Sequence, residues 1–204
     1  MVSQSATHRV DREKASERLV LAVIDLLSSG EASDLTIDGI TEHAGLASGH
    51  VLVHRYFGSR AGFFSHVARL IAHRIINEIE SDLEGLSITE KFSIQELLLP
   101  WAHQVENVRK RAILIAELQK SGHDPVPHAI DTQGIISKIA ETMVKIGLNE
   151  RPANITALKV YSLVVMDTTH HQWIGATQNA REDLRNLVMA EIANANENAK
   201  TLGW

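Results

Sequence analysis

The chain has 204 residues, enough to bury the core of one large domain or two modest ones, and its composition of 44% apolar and 22% charged residues with four prolines is that of a globular protein. No apolar run reaches the roughly 18 residues of a membrane span. Met1 to Lys14 is polar and lacks an apolar signal core, and cysteine is absent. This excludes disulfides, Cys-type zinc sites and a thiol nucleophile, and it suits a reducing, cytoplasmic setting.

Helical spacing recurs along the whole chain and strand-like alternation is nearly missing, so an all-α protein is expected. A first helix is predicted from about Asp11 to Ser28, with Leu19, Val23, Leu26 and Leu27 on one face and Gly30 as its stop. Thr36 fits the N-cap of a short second helix whose Ile37, Ile40 and Ala44 point inward, and Gly45 ends it. Ser48 fits the cap of a third helix running to about Tyr56, before the break at Gly58-Ser59.

Longer helices follow. Phe63, Val67, Ile71, Ile75, Ile79 and Leu83 repeat every four residues and predict one amphipathic helix from about Arg60 to Leu83. Next come a helix from Ile94 to Arg109, kinked or divided at Pro100, and a separate one from Ala112 to Lys120. Beyond the loop at residues 121–127, Ile135, Ile139, Met143 and Ile146 mark another helix. Ile155 to Gln178 is apolar enough at Leu163, Val164, Val165 and Met166 to be buried on most sides, and Leu184, Leu187, Val188 and Ile192 mark a last helix. The expected architecture is a three-helix head over residues 1–60 and a helical bundle over 61–204, about nine helices in total.

Two short helices joined by a glycine turn, here roughly Thr36 to Tyr56, are the arrangement in which the second helix enters the major groove of DNA. The net charge of −5 runs against a broad phosphate-binding surface, and residues 1–60 carry six basic side chains against eight acidic ones. The position of the cations therefore matters more than their number. Four precede Leu19, and Arg55 and Arg60 bracket Tyr56, so the local field is positive if the acids face elsewhere. An ordinary αα-hairpin has the same spacing.

The segments "LTIDGITEHAGLASG" and "HRYFGSRAGFFSHV" resemble the TetR/AcrR family of regulators over about residues 15–75. Thr36, Ile40, Ala44 and Gly45 match that family's second helix. Tyr56 and Phe57 match the aromatic pair closing its third helix, and Ser59, Arg60 and Phe63 or Phe64 match the opening of its fourth. Between Gly45 and Phe57 the chain is about two residues longer than the family pattern. These residues lengthen either the turn or the recognition helix. The second is preferred here, because His50 to His54 contains neither Gly nor Pro, and Val51, Leu52 and Val53 can pack partly on the first helix.

The resemblance implies a homodimer on a palindromic double-stranded DNA operator. The candidate DNA-binding residues are Thr36, Ser48, Gly49, His50, His54, Arg55, Tyr56 and Arg60. Hydroxyls at Thr36 and Ser48 stand at helix N-termini, where they either cap or help hold a phosphate. Imidazole and guanidinium at His50, His54 and Arg55 can donate to guanine N7/O6 or to phosphate. Arg60 matches the family's phosphate-binding Lys, and Phe57 reads as core. Arg9, Arg12 and Lys14 either track DNA as a flexible arm or form a plain tail.

In the bundle the resemblance implies a site for an unidentified small-molecule effector and a dimer interface made by the last two helices. Candidate pocket residues are Trp101, His103, Met143, Met166, His170 and Trp173, since bulky apolar walls with few polar groups suit such ligands. Candidate interface residues are Leu163, Leu184, Leu187, Val188 and Ile192. No cofactor or metal is expected: adjacent His170 and His171 point about 100° apart on a helix, and no third ligand joins Asp167. The chain shows no nucleophile elbow and no Gly-rich phosphate loop, so an enzyme is disfavoured. The remaining alternative is a similar DNA-binding protein controlled by a protein partner, without a small-molecule pocket.

Overall fold

A computed structural model describes residues 4–29, 35–85, 94–124, 128–145 and 148–174, with positions 190 and 194 besides. Among them are seven helices and no strand: α1 (Gln4–Ser29), α2 (Ile37–His43), α3 (Gly49–Phe57), α4 (Arg60–Gly85), α5 (Ile94–Lys120), α6 (Ala129–Lys145) and α7 (Glu150–Ile174). None is long and apolar enough to cross a membrane.

The expected apolar faces are the buried ones. Leu19, Val23, Leu26 and Leu27 of α1 meet Ile37 and Ile40 of α2 and Val53 of α3, and α4 buries Phe63, Val67, Ile71, Ile75 and Ile79. α5 lies chiefly against α4, and α6 and α7 close the bundle over both. One continuous hydrophobic core runs from the head into the bundle, because α4 contributes to both.

Three expectations are corrected. The helices expected at Ile94–Arg109 and Ala112–Lys120 are the single α5, which also continues through Pro100. Its buried stripe passes from Val105 and Val108 through Arg111 to Leu114 and Leu118 without losing helical register. Proline itself removes just one backbone donor. Together with the last expected helix, marked by Leu184, Leu187, Val188 and Ile192 and lying outside the described residues, this accounts for seven helices where about nine were expected. α1 begins at Gln4, so Arg9, Arg12 and Lys14 stand on a helix rather than a flexible arm. Finally, α7 is not buried on most sides. Ala153, Ala157, Val160 and Val164 face the core, whereas Ile155, Leu158 and Met166 are exposed, Met166 by 68%.

Candidate nucleic-acid interface

Thr36 caps α2: its backbone is extended, and its Oγ1 accepts from the Gly39 N–H at 3.0 Å. The hydroxyl proton remains available to an outside acceptor, and the residue is exposed. At the other end the chain reverses about Gly45, in the left-handed region at φ 60°, with Gly45 N–H donating to Glu42 O at 2.8 Å and Leu46 N–H to Thr41 O at 3.0 Å. Arg18 of α1 reaches over and donates to Ala44 O and to Gly45 O. A cation there opposes the negative end of the α2 dipole and fixes the turn to α1. Sequence reasoning counted Arg18 among the cations near the tail. Its task is visible only once α1 and α2 are packed.

Helix α3 starts directly after this turn. Ser48, the expected cap, makes no side-chain capping bond. Its backbone is left-handed, with φ 62° and ψ 49°, and this turns its hydroxyl away from the first N–H groups of α3. Gly49 is buried where α3 crosses α2, and a Cβ on it would lie 1.7 Å from Thr41 Oγ1. Gly49 thus serves helix packing, not a surface contact.

The opposite face of α3 is open. His50, Val51, His54 and Arg55 are exposed, with His50 and His54 one turn apart, while Val53 is buried and Leu52 half-buried. Of the two ways to place the extra residues, the helix holds both histidines on one face. Val51 was expected to pack partly inward, yet it is 65% exposed between His50 and Arg55. His50 Nε2 lies 3.2 Å from Asp38 Oδ1 of α2. At least one acid of the head therefore shares the face with the histidines.

Tyr56 and Phe57 turn away from this face. Both are half-buried, and Phe57 packs its ring 4.7 Å from Phe63 and 5.3 Å from His66 of α4. Arg60 has partners of its own. It lies over the Phe64 ring at 4.5 Å and donates to Ser121 Oγ at 3.1 Å, Leu35 O at 3.3 Å and Glu117 Oε2 at 3.4 Å. It ties the start of α4 to the strand of chain before α2 and to the end of α5. The Glu117 carboxylate holds Arg60 in this brace, at the position expected to meet phosphate. Ser59 caps α4, accepting from Gly62 N–H at 2.9 Å.

The pocket candidates do not come together among the described side chains. Met143 is buried in the core and Met166 is exposed. The side chains of Trp101, His103, His170 and Trp173 lie outside the described residues. Of the interface candidates, Leu163 is half-buried on α7, and the other four lie outside as well. What the bundle buries instead is polar. Arg111 is wholly enclosed and donates to Tyr161 OH at 2.9 Å, to Thr132 Oγ1 at 3.0 Å and to His128 O at 3.0 Å. His128 beside it is held below the usual imidazole pKa, first by burial and then by the Arg111 charge, against an opposing pull from Asp131.

No family model matches the chain, and no curated protein does. Among solved structures it is similar to a protein from Mesorhizobium loti assigned to the TetR family of transcriptional regulators. The TM-score is 0.62 and the identity 15%, over 90% of this chain and 96% of that one. The two share a fold over that length.

Proposed function

We propose that the chain is a DNA-binding transcription regulator that grips a palindromic operator as a homodimer, with α3 in the major groove. The observation that carries this reading is the outward face of α3: two imidazoles, a guanidinium and one aliphatic side chain stand exposed on a helix whose other face is locked to α2 by Gly49 under Thr41. His50, His54 and Arg55 offer donors to guanine or phosphate, and Val51 offers an apolar contact to a thymine methyl group. The exposed Thr36 hydroxyl can donate to a phosphate while still capping α2. The shared fold with a TetR-family regulator supports the same reading.

The exposed Ile155, Leu158 and Met166 of α7 favour pairing of two bundles, since a monomer would leave that apolar face wet. Pairing sets two heads at the spacing of successive major grooves, about 34 Å. The regulator then acts as a repressor in the cytoplasm: bound at its operator it blocks polymerase, and a small-molecule effector in the bundle moves the heads off that spacing.

The test is a gel shift on DNA upstream of the chain's own gene, repeated across salt concentrations. Binding should fall steeply with salt. Arg55→Ala should weaken it and reduce the slope by about one ion, and His54→Ala should cost about 1–3 kcal/mol at a single operator position. Binding that ignores salt and both substitutions would reject α3 as the reading helix.

A further inference from the structure

Beside the aromatic pair that closes α3, helices α1, α3 and α4 enclose an open groove of about 610 Å³. Val20 and Leu21 of α1, Tyr56 and Phe57 of α3 and Leu70 of α4 make its apolar walls. Leu21 and Leu70 form its lips, 58% and 43% exposed. The volume lies within the range of sites for small organic molecules, roughly 300–1,000 Å³. One wall is already rigid, because Phe57 is clamped between Phe63 behind it and His66 at its side and meets Tyr56 edge-on at 6.4 Å.

Three polar residues line the groove: Ser16 and Glu17 on α1 and His66 on α4. Glu17 is the lining residue with a permanent charge, and no ion pair or hydrogen bond holds it among the described residues. Three of the nearby cations are committed elsewhere, and Lys14, one turn before Glu17 on α1, does not line the groove. Arg18 turns to the other side of α1, onto Ala44 O and Gly45 O. Arg69 faces Asp131 and Arg74 faces Glu78. What the groove offers is therefore apolar surface, aromatic rings and one uncommitted carboxylate, and rings attract cations as a carboxylate does. We propose that this groove is a second ligand site, in the head, which takes a small molecule with an apolar body and a single positive charge. The body lies along Val20, Phe57 and Leu70, and the cation sits at Glu17 beside Tyr56. The site is separate from any effector site in the bundle and does not depend on the DNA-binding reading.

The experiment uses the full chain without DNA and three matched probes: 4-phenylbutylamine, 4-phenylbutanol and 4-phenylbutanoate. Binding is followed by NMR through the ring signals of Tyr56, Phe57 and His66. The amine should bind about three- to fivefold more tightly than the alcohol, and the acid should bind most weakly. Glu17→Gln should bring the amine down to the affinity of the alcohol while leaving the alcohol unchanged. Leu70→Lys, an exposed change that leaves the core intact, should weaken amine and alcohol together. Equal affinity for the three probes would overturn the proposal, as would an amine preference that survives Glu17→Gln. So would shifts confined to the indole signals of Trp101 and Trp173. If the groove takes a second copy instead, self-association abolished by Leu70→Lys, with no probe bound, would show it and would also overturn the proposal.

Discussion

Between residues 36 and 57 the head buries apolar or small side chains, apart from Thr41, whose hydroxyl returns to Ile37 O within its own helix. Its imidazoles and its guanidinium at Arg55 stand in solvent. The bundle does the reverse: it encloses Arg111 and His128, bonds the Arg111 guanidinium to Tyr161 and Thr132, and sets the His128 ring against Ser65. A buried guanidinium bonded to α6 and α7 orders the helices around it but presents nothing to a partner. The exposed groups of the head contribute little to the fold, and on the proposed reading they meet phosphate and bases. Identical residue types thus serve opposite ends, and burial decides which.

The sharpest way to break that contrast is to remove one arginine from each region. Arg111→Met should cost about 2–4 kcal/mol in denaturant unfolding, because the Tyr161 and Thr132 hydroxyls lose their buried donor while the His128 carbonyl keeps only Thr132 Oγ1. Arg55→Ala should stay within about 0.5 kcal/mol of the parent, as exposed substitutions do. Comparable losses at both positions would dissolve the distinction.

Next in size is Gly49→Ala, which carries the contrast inside the head. The added Cβ would overlap Thr41 Oγ1, so α3 must lift from α2 at a cost of about 1–3 kcal/mol. Hydrogen exchange should rise in α2 and α3 while the centres of α6 and α7 keep their protection. An unchanged head would mean that the two helices have room to separate.

Arg60 lies at the boundary, and its substitution sharpens the comparison with Arg55. Arg60→Ala should lower stability by about 1 kcal/mol or less, since its partners are partly solvated. It should leave the salt slope of DNA binding unchanged, whereas Arg55→Ala reduces it. A slope lowered by about one ion in the Arg60 variant would show that the brace to Glu117 and Leu35 opens to reach phosphate.

The sequence made the head largely legible because its helices are short and each signal is local. Thr36 as a cap, Gly45 as a turn and Ser59 before α4 are each recognised within three or four residues. The apolar stripes of α1 and α4 were legible too, since Leu19 to Leu27 and Phe63 to Ile79 repeat at helical spacing without interruption. Arg111 was not. It follows Arg109 and Lys110, and three basic residues in a row suggest a wet surface, yet only the third falls on the face that meets α6 and α7. Ser48 has the right residue type for a cap, but its left-handed backbone is a tertiary outcome of fitting Gly49 beneath Thr41. Val51 has the apolarity of a core residue, and its exposure follows from the angle at which α3 leaves that turn. The groove beside Tyr56 needs three helices at once, and no single segment announces it.

The smallest expected effect is one of pH. His128 is enclosed, with Nε2 3.2 Å from Ser65 Oγ, and its neighbours from the packed helices are Arg111 of α5, Arg69 of α4 and Asp131 of α6. Burial and then the Arg111 charge depress its folded pKa, with Arg69 adding to them and Asp131 opposing. The unfolded chain then takes up a proton that the folded chain refuses. Stability should therefore be insensitive to this residue above its unfolded pKa of about 6.5 and decline as the pH falls below it, with a slope no steeper than about 1.4 kcal/mol per pH unit. The decline should level off once the pH passes the depressed folded value. The carboxylates Glu78 and Glu141, both held low, begin to cost stability only nearer the ordinary carboxylate range. The interval just below pH 6.5 therefore isolates the histidine when parent and variant are compared. His128→Gln keeps a polar side chain beside Ser65 and cannot titrate, so the difference between the two unfolding curves should shrink as the pH falls through that interval. A difference that stays constant would mean that the folded bundle accepts the proton by turning Asp131 fully onto His128, and its buried polar groups would then be mobile partners rather than fixed ones.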